Sequence, residues 1–250
     1  GSKSQPANHT VIEMMILYTA DMAGNHSGDP AALANTLEAS VTAAMSASSV
    51  TGSAKIVAYK PTTFSEASPF ATNDFISARE DMKAESAPFT AIESDQDDLR
   101  ADVVVLLVDG DDVGDDPPFN FAACGLADTV SSSDNERAYA VVQDRCAAGD
   151  LTFVHEVTHL LGGRHDWGNT GGTDDTAGWT PGTGHGYTSA TPDFRTVMGS
   201  KTGCTFAGGC SRLSRYSDPD QTALISGTNY ALGLADDWPD QGGNQRSDVV

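Results

Sequence analysis

Three histidines and a glutamate fall within one short segment, HEVTHLLGGRH, at residues 155–165. The chain has six histidines, so half of them lie in this segment. If the segment begins as a helix, His155 and His159 lie one turn apart on the same face, where they can share one metal ion. Glu156 is a step around the helix, close to that ion without having to bind it. The segment therefore predicts a metal centre with a carboxylate beside it.

A third ligand requires the chain to bend sharply after the helix. Zinc that does chemistry takes three protein ligands and leaves a fourth position for water. His165 supplies the third ligand if the bend is at Gly162, because glycine adopts left-handed backbone conformations at little cost. The full pattern H-E-x-x-H-x-x-G-x-x-H is much rarer by chance than HExxH alone. We therefore predict a catalytic zinc site here, rather than ordinary buried or surface histidines.

The helix that carries the first two histidines is predicted at residues 151–161. Asp150 is the expected N-cap, and Gly162-Gly163 is the expected stop. Upstream, apolar runs alternate with amphipathic patterns, which predicts an α/β sheet domain. The run at 101–110 is the most apolar and is expected to be a central strand buried on both faces. The other predicted elements are strands at 10–22, 54–60 and 138–144, a helix at 29–49 with Asp29 as cap, and a helix at 72–85.

Composition restricts the class of partner. The chain has 250 residues and a net charge of −21, with 35 acidic and 14 basic residues. Its length is enough for one domain with a substantial core, and no apolar run reaches the roughly twenty residues of a membrane span. A surface this negative repels phosphate backbones, so nucleic acid is a poor partner. We expect a globular protein without membrane or nucleic-acid partners, and a monomer.

Four cysteines lack the CxxC spacing of zinc knuckles and redox sites. Two disulfides are therefore favoured over metal ligation, although the spacing does not settle the pairing, and we expect an oxidising, extracellular location. The opening residues are polar, so an export segment has either been removed or precedes this sequence. The pairs we expect are Cys124–Cys146 and Cys204–Cys210.

An acidic segment, DGDDVGDD at residues 109–116, follows the predicted central strand. Calcium binds several carboxylate oxygens, so a calcium site is one reading of this segment. Its spacing departs from the EF-hand loop at Val113, and a solvated loop is the other reading. The sequence leaves the two readings open.

Five short motifs together resemble a known family of proteases. HEVTHLLGGRHD resembles the elongated zinc-binding motif of the metzincin metalloendopeptidases, and RTVMGS, with Met198, resembles their Met-turn. Together with CGLADTV, GHGY and RYSDP, these motifs are similar to bacterial peptidyl-Asp metallopeptidases and their reprolysin-like relatives. The resemblance covers residues 100–220, and upstream only the order of strands and helices matches.

The resemblance implies a metzincin catalytic domain: a twisted mixed sheet, an active-site helix that binds zinc, and an irregular lower part. It implies an N-terminal subdomain at residues 1–166 and a C-terminal subdomain at 167–250, and a glycine-rich stretch without apolar periodicity does begin at Trp167. A secreted zinc endopeptidase acting on polypeptides follows, with Glu156 as general base and Met198 as an apolar floor. Astacin-like and serralysin-like members carry a tyrosine where this chain has Ser200, so we expect three histidines plus water and no tyrosine ligand.

The resemblance also implies that substrate adds a strand at CGLADTV and that cleavage occurs before acidic residues. Such cleavage needs a cationic pocket, and its candidates are Arg164, Arg195, Arg212 and Arg215. Asp166 is expected either to hydrogen-bond within the lower part or to be an ordinary surface carboxylate. His185 is expected to stabilise its loop rather than to bind zinc.

Two other functions are compatible with parts of this pattern. One is a zinc-bearing adhesin or binding module that has lost catalysis, against which the retained Glu156 argues. The other is a gluzincin-type protease, whose third ligand is a distant glutamate, against which the spacing of His165 argues.

Overall fold

The computed structural model describes residues 11–25, 30–67, 72–109, 124–128, 139–166, 185–190, 193–200, 204 and 210–233. The elements in these ranges are β1 Val11–Tyr18, α1 Ala20–Asn25, α2 Ala31–Ala47, β2 Ser53–Pro61, α3 Thr72–Lys83, α4 Ile92–Leu99, β3 Val103–Val108, β4 Gly125–Ala127, β5 Tyr139–Gln143, α5 Asp144–Ala147, α6 Thr152–Leu160, β6 Thr188–Ala190, β7 Asp193–Arg195, β8 Ser211–Arg212, β9 Thr222–Ile225 and β10 Thr228–Ala231.

The main sheet has five strands in the order β2-β1-β3-β5-β4. Its first four strands are parallel, and β4 runs antiparallel to β5 at the edge. The mixed sheet between helices confirms the predicted α/β fold class. The position of β4 at the end of the strand order also confirms that part of CGLADTV forms an edge strand, although residues 129–130 of that motif lie outside the described residues.

Alternating apolar side chains build a core on each face of the sheet. In β1, Met14 and Ile16 pack into one core, whereas Met15 and Leu17 pack into the other. All six residues of β3 are buried, as predicted for a central strand. The first core also contains Phe153 of α6 together with residues far along the chain, among them Val197, Met198 and Tyr216. The helix that carries the histidines is thus packed between the main sheet and the C-terminal region.

The first predicted strand begins at the right place but was predicted to extend too far, to residue 22. The strand ends at Tyr18. The Thr19 hydroxyl accepts a hydrogen bond of 3.1 Å from the Met22 backbone N–H, so Thr19 starts helix α1 instead of continuing the strand. Helix α4 was not predicted, because only Ile92 of this acidic segment is buried and the apolar signal is weak. Pro30 is the N-cap of α2, and the predicted cap Asp29 lies outside the described residues.

Two disulfides join the pairs expected from the sequence, Cys124 with Cys146 and Cys204 with Cys210. The first connects the start of β4 to α5, immediately before the histidine-bearing helix. None of the described helices has both the length and the apolar character needed to cross a bilayer. Apart from Asp109, the acidic segment read as a calcium site lies outside the described residues.

The C-terminal region contains two small sheets, β6-β7-β8 and β10-β9. The glycine-rich stretch that begins at Trp167 extends to Phe194 and is predicted to be a long irregular loop. Strand β6 and the start of β7 fall within it, so that prediction is wrong for residues 188–190 and 193–194. Most of the stretch lies outside the described residues. Strand β8 joins β7 in parallel, which places Arg212 beside Arg195.

Candidate metal centre and cleft

The three predicted histidine ligands converge on one point. The Nε2 atom of His165 lies 2.9 Å from Nε2 of His155 and 3.1 Å from Nε2 of His159. The three rings lie with their centroids 4.7–5.0 Å apart. Sequence spacing therefore identified three side chains that the fold brings together.

Two backbone carbonyls fix the orientation of the first two rings. The Nδ1 atoms of His155 and His159 lie 2.8 Å from the carbonyl oxygens of Val197 and Gly163 respectively. A carbonyl oxygen only accepts, so each Nδ1 carries the proton and each Nε2 presents a lone pair to the common point. This hydrogen-bonded arrangement is typical of metal-binding histidines.

The three nitrogens fit a zinc ion. Tetrahedral zinc with Zn–N bonds of 2.0–2.1 Å separates two nitrogen ligands by about 3.3 Å. The observed contacts at 2.9 and 3.1 Å are slightly closer. Two unprotonated nitrogens facing a third at this distance repel one another, and a divalent cation between them removes that repulsion. The donor set therefore suits zinc, with His155, His159 and His165 as the residues that would hold it.

Helix α6 ends in the glycine turn that the sequence predicts. Gly162 has φ 99°, in the region that favours glycine. The N–H groups of Gly162 and Gly163 donate to the carbonyls of His159 and Thr158, at 3.0 and 2.8 Å, which is the hydrogen-bond pattern of a Schellman motif. A side chain at Gly163 would lie 2.5 Å from Cγ2 of Thr158, so glycine is required there for space.

The start of the helix differs from the prediction. The N-cap is Leu151, with φ 56°, and no side chain caps the helix. Asp150 is therefore not the N-cap. Its carbonyl instead accepts a hydrogen bond of 2.8 Å from Nη1 of Arg212, which ties the beginning of α6 to β8.

A second segment holds His165 in place after the turn. The Gly186 backbone N–H donates to the Arg164 carbonyl at 2.8 Å, and the His185 ring donates to the His165 carbonyl at 2.7 Å. His185 is 1% exposed, and its backbone carbonyl accepts a hydrogen bond from the Ser217 hydroxyl. His185 thus stabilises the chain around His165, as predicted, and does not join the ligand cluster.

The segment that resembles a Met-turn contacts the first histidine through its backbone. Met198 is fully buried in the core that also contains α6, and the carbonyl of neighbouring Val197 orients His155. The Ser200 N–H donates to the Asp166 carboxylate at 2.5 Å. Asp166 therefore makes the hydrogen bond within the lower part that was one of its two predicted roles.

Glu156 lies against the edge strand. It is 5% exposed, and burial raises its pKa to about 8, although Arg212 and a hydrogen bond from the Ala127 backbone lower it. A Cβ at Gly125 would lie 2.7 Å from Cγ of Glu156 and 2.9 Å from Cγ2 of Thr152. Glycine in β4 therefore leaves the space that the Glu156 side chain occupies. The sequence did not predict this role, although glycine within a strand is a known signal of close approach.

A cavity of about 180 Å³ opens beside the histidines. Glu156, His155 and His165 line it, together with the edge strand at Gly125, the residues after Met198, and two arginines, Arg195 and Arg212.

The other two arginine candidates do not line this cavity. Arg164 is buried in the bridge to His185, and Arg215 donates to the Thr222 carbonyl at an exposed site. The sequence proposed four arginines without ranking them, because only the pairing of β7 with β8 brings Arg195 and Arg212 together.

Comparison with known proteins agrees with this geometry. The model of the family described as Metallo-peptidase family M12B Reprolysin-like matches residues 34–166, which include the three histidines and Glu156. The chain belongs to this family of reprolysin-like metallopeptidases. This confirms the resemblance inferred from the motifs and the fold class that it implied.

The matches to individual relatives cover only part of each relative's length. A peptidyl-Asp metalloendopeptidase of Stenotrophomonas maltophilia strain R551-3 is 29% identical over 184 residues, 72% of this chain and 37% of the relative. The protein of that name from strain K279a is 31% identical over 167 residues, 66% of this chain and 35% of the relative. The chain thus spans little more than a third of the length of these relatives.

One solved structure, described as a chaperone-substrate complex, has a similar fold. Its TM-score is 0.56 at 17% identity, and the match covers 95% of this chain and 32% of the solved chain. This likeness concerns the fold alone.

Proposed function

We propose that this chain is a secreted zinc endopeptidase that hydrolyses peptide bonds in proteins. His155, His159 and His165 hold the metal, and Glu156 is the general base. The observation that carries the proposal is the convergence of three Nε2 atoms, at 2.9 and 3.1 Å, beside a buried carboxylate in an open cavity. When bound, zinc supplies Lewis-acid chemistry by acidifying water and polarising a carbonyl.

Glu156 moves the protons of the reaction. Its carboxylate takes a proton from a water molecule as the water oxygen bonds to the peptide carbonyl carbon. As the carbon–nitrogen bond breaks, Glu156 passes the proton to the departing amine, so that the acid and the amine are released. Burial raises the pKa of Glu156 to about 8 without metal, and a neighbouring cation favours the ionised form that a base requires.

Substrate binds in extended form along β4. This strand is the edge of the sheet beside β5, and its Gly125 lies against Glu156 and lines the cavity. Backbone groups at a sheet edge bind an extended peptide by adding a strand. A peptide there would pass directly over the proposed base.

The division of the chain, its location and its preference are further parts of the proposal. Residues 1–166 and 167–250 form the two subdomains of one catalytic domain, which is supported by the core that they share. Secretion is supported by the two disulfides. A preference for cleavage next to acidic residues is supported by relatives that are named peptidyl-Asp metalloendopeptidases.

Replacing the proposed base tests the reaction. We expect Glu156→Gln to lower casein hydrolysis by about 10²- to 10⁴-fold, because amide nitrogen does not accept the proton. Zinc content, measured by metal analysis, should stay at one ion per chain. A zinc chelator should abolish hydrolysis by the unaltered protein, and zinc should restore it.

Two outcomes would contradict the proposal. A Glu156→Gln variant as active as the unaltered protein removes Glu156 from the reaction, and a zinc-loaded protein without any hydrolysis favours the silent binding module. The His165→Ala variant is the control for the ligand set. Loss of zinc supports the three-histidine site, whereas retention supports a distant third ligand.

A further inference from the structure

Strands β7 and β8 place two arginines directly beside each other. Their parallel register pairs Arg195 with Arg212, so both side chains leave the same face of the small sheet. Like charges opposite each other on neighbouring strands destabilise a sheet. Burial lowers the pKa of both guanidinium groups, and the charge of Arg195 lowers the pKa of Arg212 further, to about 10, although nearby carboxylates act in the opposite direction. The pair is thus a costly arrangement for stability alone.

Among the residues that the structure describes, neither guanidinium has a protein acceptor for each of its N–H groups. Nη1 of Arg195 donates to the Gly199 carbonyl at 3.3 Å, and Nη1 of Arg212 donates to the Asp150 carbonyl at 2.8 Å. The Nε groups of both arginines are buried and, within the described residues, have no acceptor. No carboxylate in the described part of the chain lies within ion-pair distance of either one, whereas Arg79 is paired with Asp128 at 3.2 Å. Buried donors without acceptors are rare because each costs free energy.

Both arginines line the cavity that contains the candidate zinc ligands. Arg195 is 5% exposed, and the cavity of about 180 Å³ offers many times the space that one water molecule needs. Two carboxylates also line the cavity: Asp150, which is exposed, and Glu156, which is the proposed base. In a chain of net charge −21, this wall of the cleft carries two positive charges, one on the buried Arg195 and one on the partly buried Arg212.

We propose that Arg195 and Arg212 together bind the side-chain carboxylate of a substrate residue adjacent to the scissile bond, and so determine the specificity of the cleft. The inference rests on the proposed function, because it places that residue beside the metal ligands. Guanidinium groups bind carboxylates through two parallel N–H···O bonds, and the planar fork of arginine fits this geometry better than the ammonium group of lysine. A bound carboxylate would accept the orphaned N–H groups and neutralise the repulsion between the two cations.

Matched peptides test the inference. Fluorogenic peptides carry Asp or its isostere Asn either just before or just after the scissile bond. We expect the zinc-loaded protein to prefer Asp over Asn at one of these positions by about 10- to 100-fold in kcat/KM, the range of a hydrogen bond to a charged group. Arg195→Gln and Arg212→Gln should each bring the ratio close to one, and Arg212→Lys should leave an intermediate ratio.

Arg215→Gln is the matched control, because this arginine lies outside the cavity and its side chain binds the Thr222 carbonyl. It should keep the full preference for Asp. Circular dichroism and zinc content establish that each variant is folded. If the glutamine variants do not fold, the ratio of the unaltered protein still decides: no preference for Asp at either position overturns the inference. So does a preference that survives in folded Arg195→Gln and Arg212→Gln.

Peptide binding separates this inference from the proposed reaction. Zinc-loaded Glu156→Gln should bind the Asp peptide about 10-fold or more tightly than the Asn peptide, measured by fluorescence anisotropy, and the added Arg212→Gln should remove the difference. An inactive parent protein that still shows this discrimination would refute the peptidase and keep the carboxylate site. An active parent protein without this discrimination would support the peptidase and refute the carboxylate site.

Discussion

Two imidazoles are held neutral by their surroundings. Burial, followed by the charges of the neighbouring imidazoles, lowers the pKa of His155 well below its ordinary value and that of His159 to about 3. The hydrogen bonds to the carbonyls of Val197 and Gly163 act in the opposite direction and are outweighed. The folded chain therefore presents unprotonated nitrogens to a metal, which binds only deprotonated ligands.

Neutral burial of His159 predicts how the metal-free protein responds to acid. The unfolded chain takes up a proton near pH 6.5, whereas folded His159 does so only near pH 3, so stability is lost as pH falls between these values. The slope is at most about 1.4 kcal/mol per pH unit for this residue. We expect urea unfolding at pH 7, 6 and 5 to show a flatter decline in His159→Gln than in the unaltered protein.

The unaltered protein and the His159→Gln variant both keep Glu156, whose raised pKa changes stability with pH in the opposite direction to His159. Its contribution to stability falls as pH rises from about 4.5 to about 8, and it cancels when the two proteins are compared at the same pH. Identical slopes in the two proteins would mean that His159 is not held neutral in the fold.

At the scale of elements, the edge strand and the histidine-bearing helix define the cleft by their close contact. Gly125 of β4 faces Glu156 and Thr152 of α6, and a side chain there would approach both to less than 3 Å. The disulfide from Cys124 and the pairing with β5 hold the strand in that position. The strand has little freedom to retreat from the helix.

A methyl group at Gly125 is therefore expected to displace Glu156. Overpacking of this kind costs about 1–3 kcal/mol of stability, and a shift of about 1 Å in a catalytic group costs about 10²-fold in rate. We expect Gly125→Ala to lower kcat for peptide hydrolysis by that factor and to leave zinc content unchanged. Enzyme kinetics, metal analysis and thermal unfolding measure the three quantities.

Gly149→Ala is the control for this substitution, because no atom lies within 4 Å of a Cβ at that nearby position. It should change neither rate nor stability appreciably. A Gly125→Ala variant with the same kcat as Gly149→Ala would show that β4 yields to the added methyl group.

The elements show what the sequence can and cannot specify. Strands β3 and β5 were predictable because their apolar runs are strong, and the turn after α6 was predictable because Gly162-Gly163 allows few alternatives. The start of α6 was not predictable, because Leu151 adopts a left-handed conformation that no local pattern indicates. The arginine pair depends on a contact between β7 and β8, which are distant in sequence, and periodicity within one segment carries no information about such a contact.

At the scale of the whole molecule, the excess of negative charge opposes folding. The net charge is −21, and mutual repulsion of like charges destabilises a folded state that brings them together. Helix α4 illustrates the excess, with four acidic residues in IESDQDDL. Salt screens such repulsion, since the Debye length falls from about 10 Å at 0.1 M to about 3 Å at 1 M.

We therefore expect the midpoint of thermal unfolding to rise when NaCl is increased from about 0.1 to about 1 M. The variant Asp97→Asn/Asp98→Asn, which removes two exposed charges from α4, should show a smaller rise. KCl should act like NaCl, because screening depends on ionic strength alone. An unchanged midpoint in salt would mean that the acidic residues are already neutralised by bound cations.

The core that contains Phe153 of α6 also contains Met198 and Tyr216 from beyond the third histidine. In the described part of the chain, one continuous apolar core thus supports both the helix of the first two histidines and the segment that contains Met198. We therefore expect the two sides of the cleft to unfold cooperatively. If one side of the cleft loosened, the three imidazoles would separate, and we expect such partly unfolded molecules to be unable to hold a metal ion.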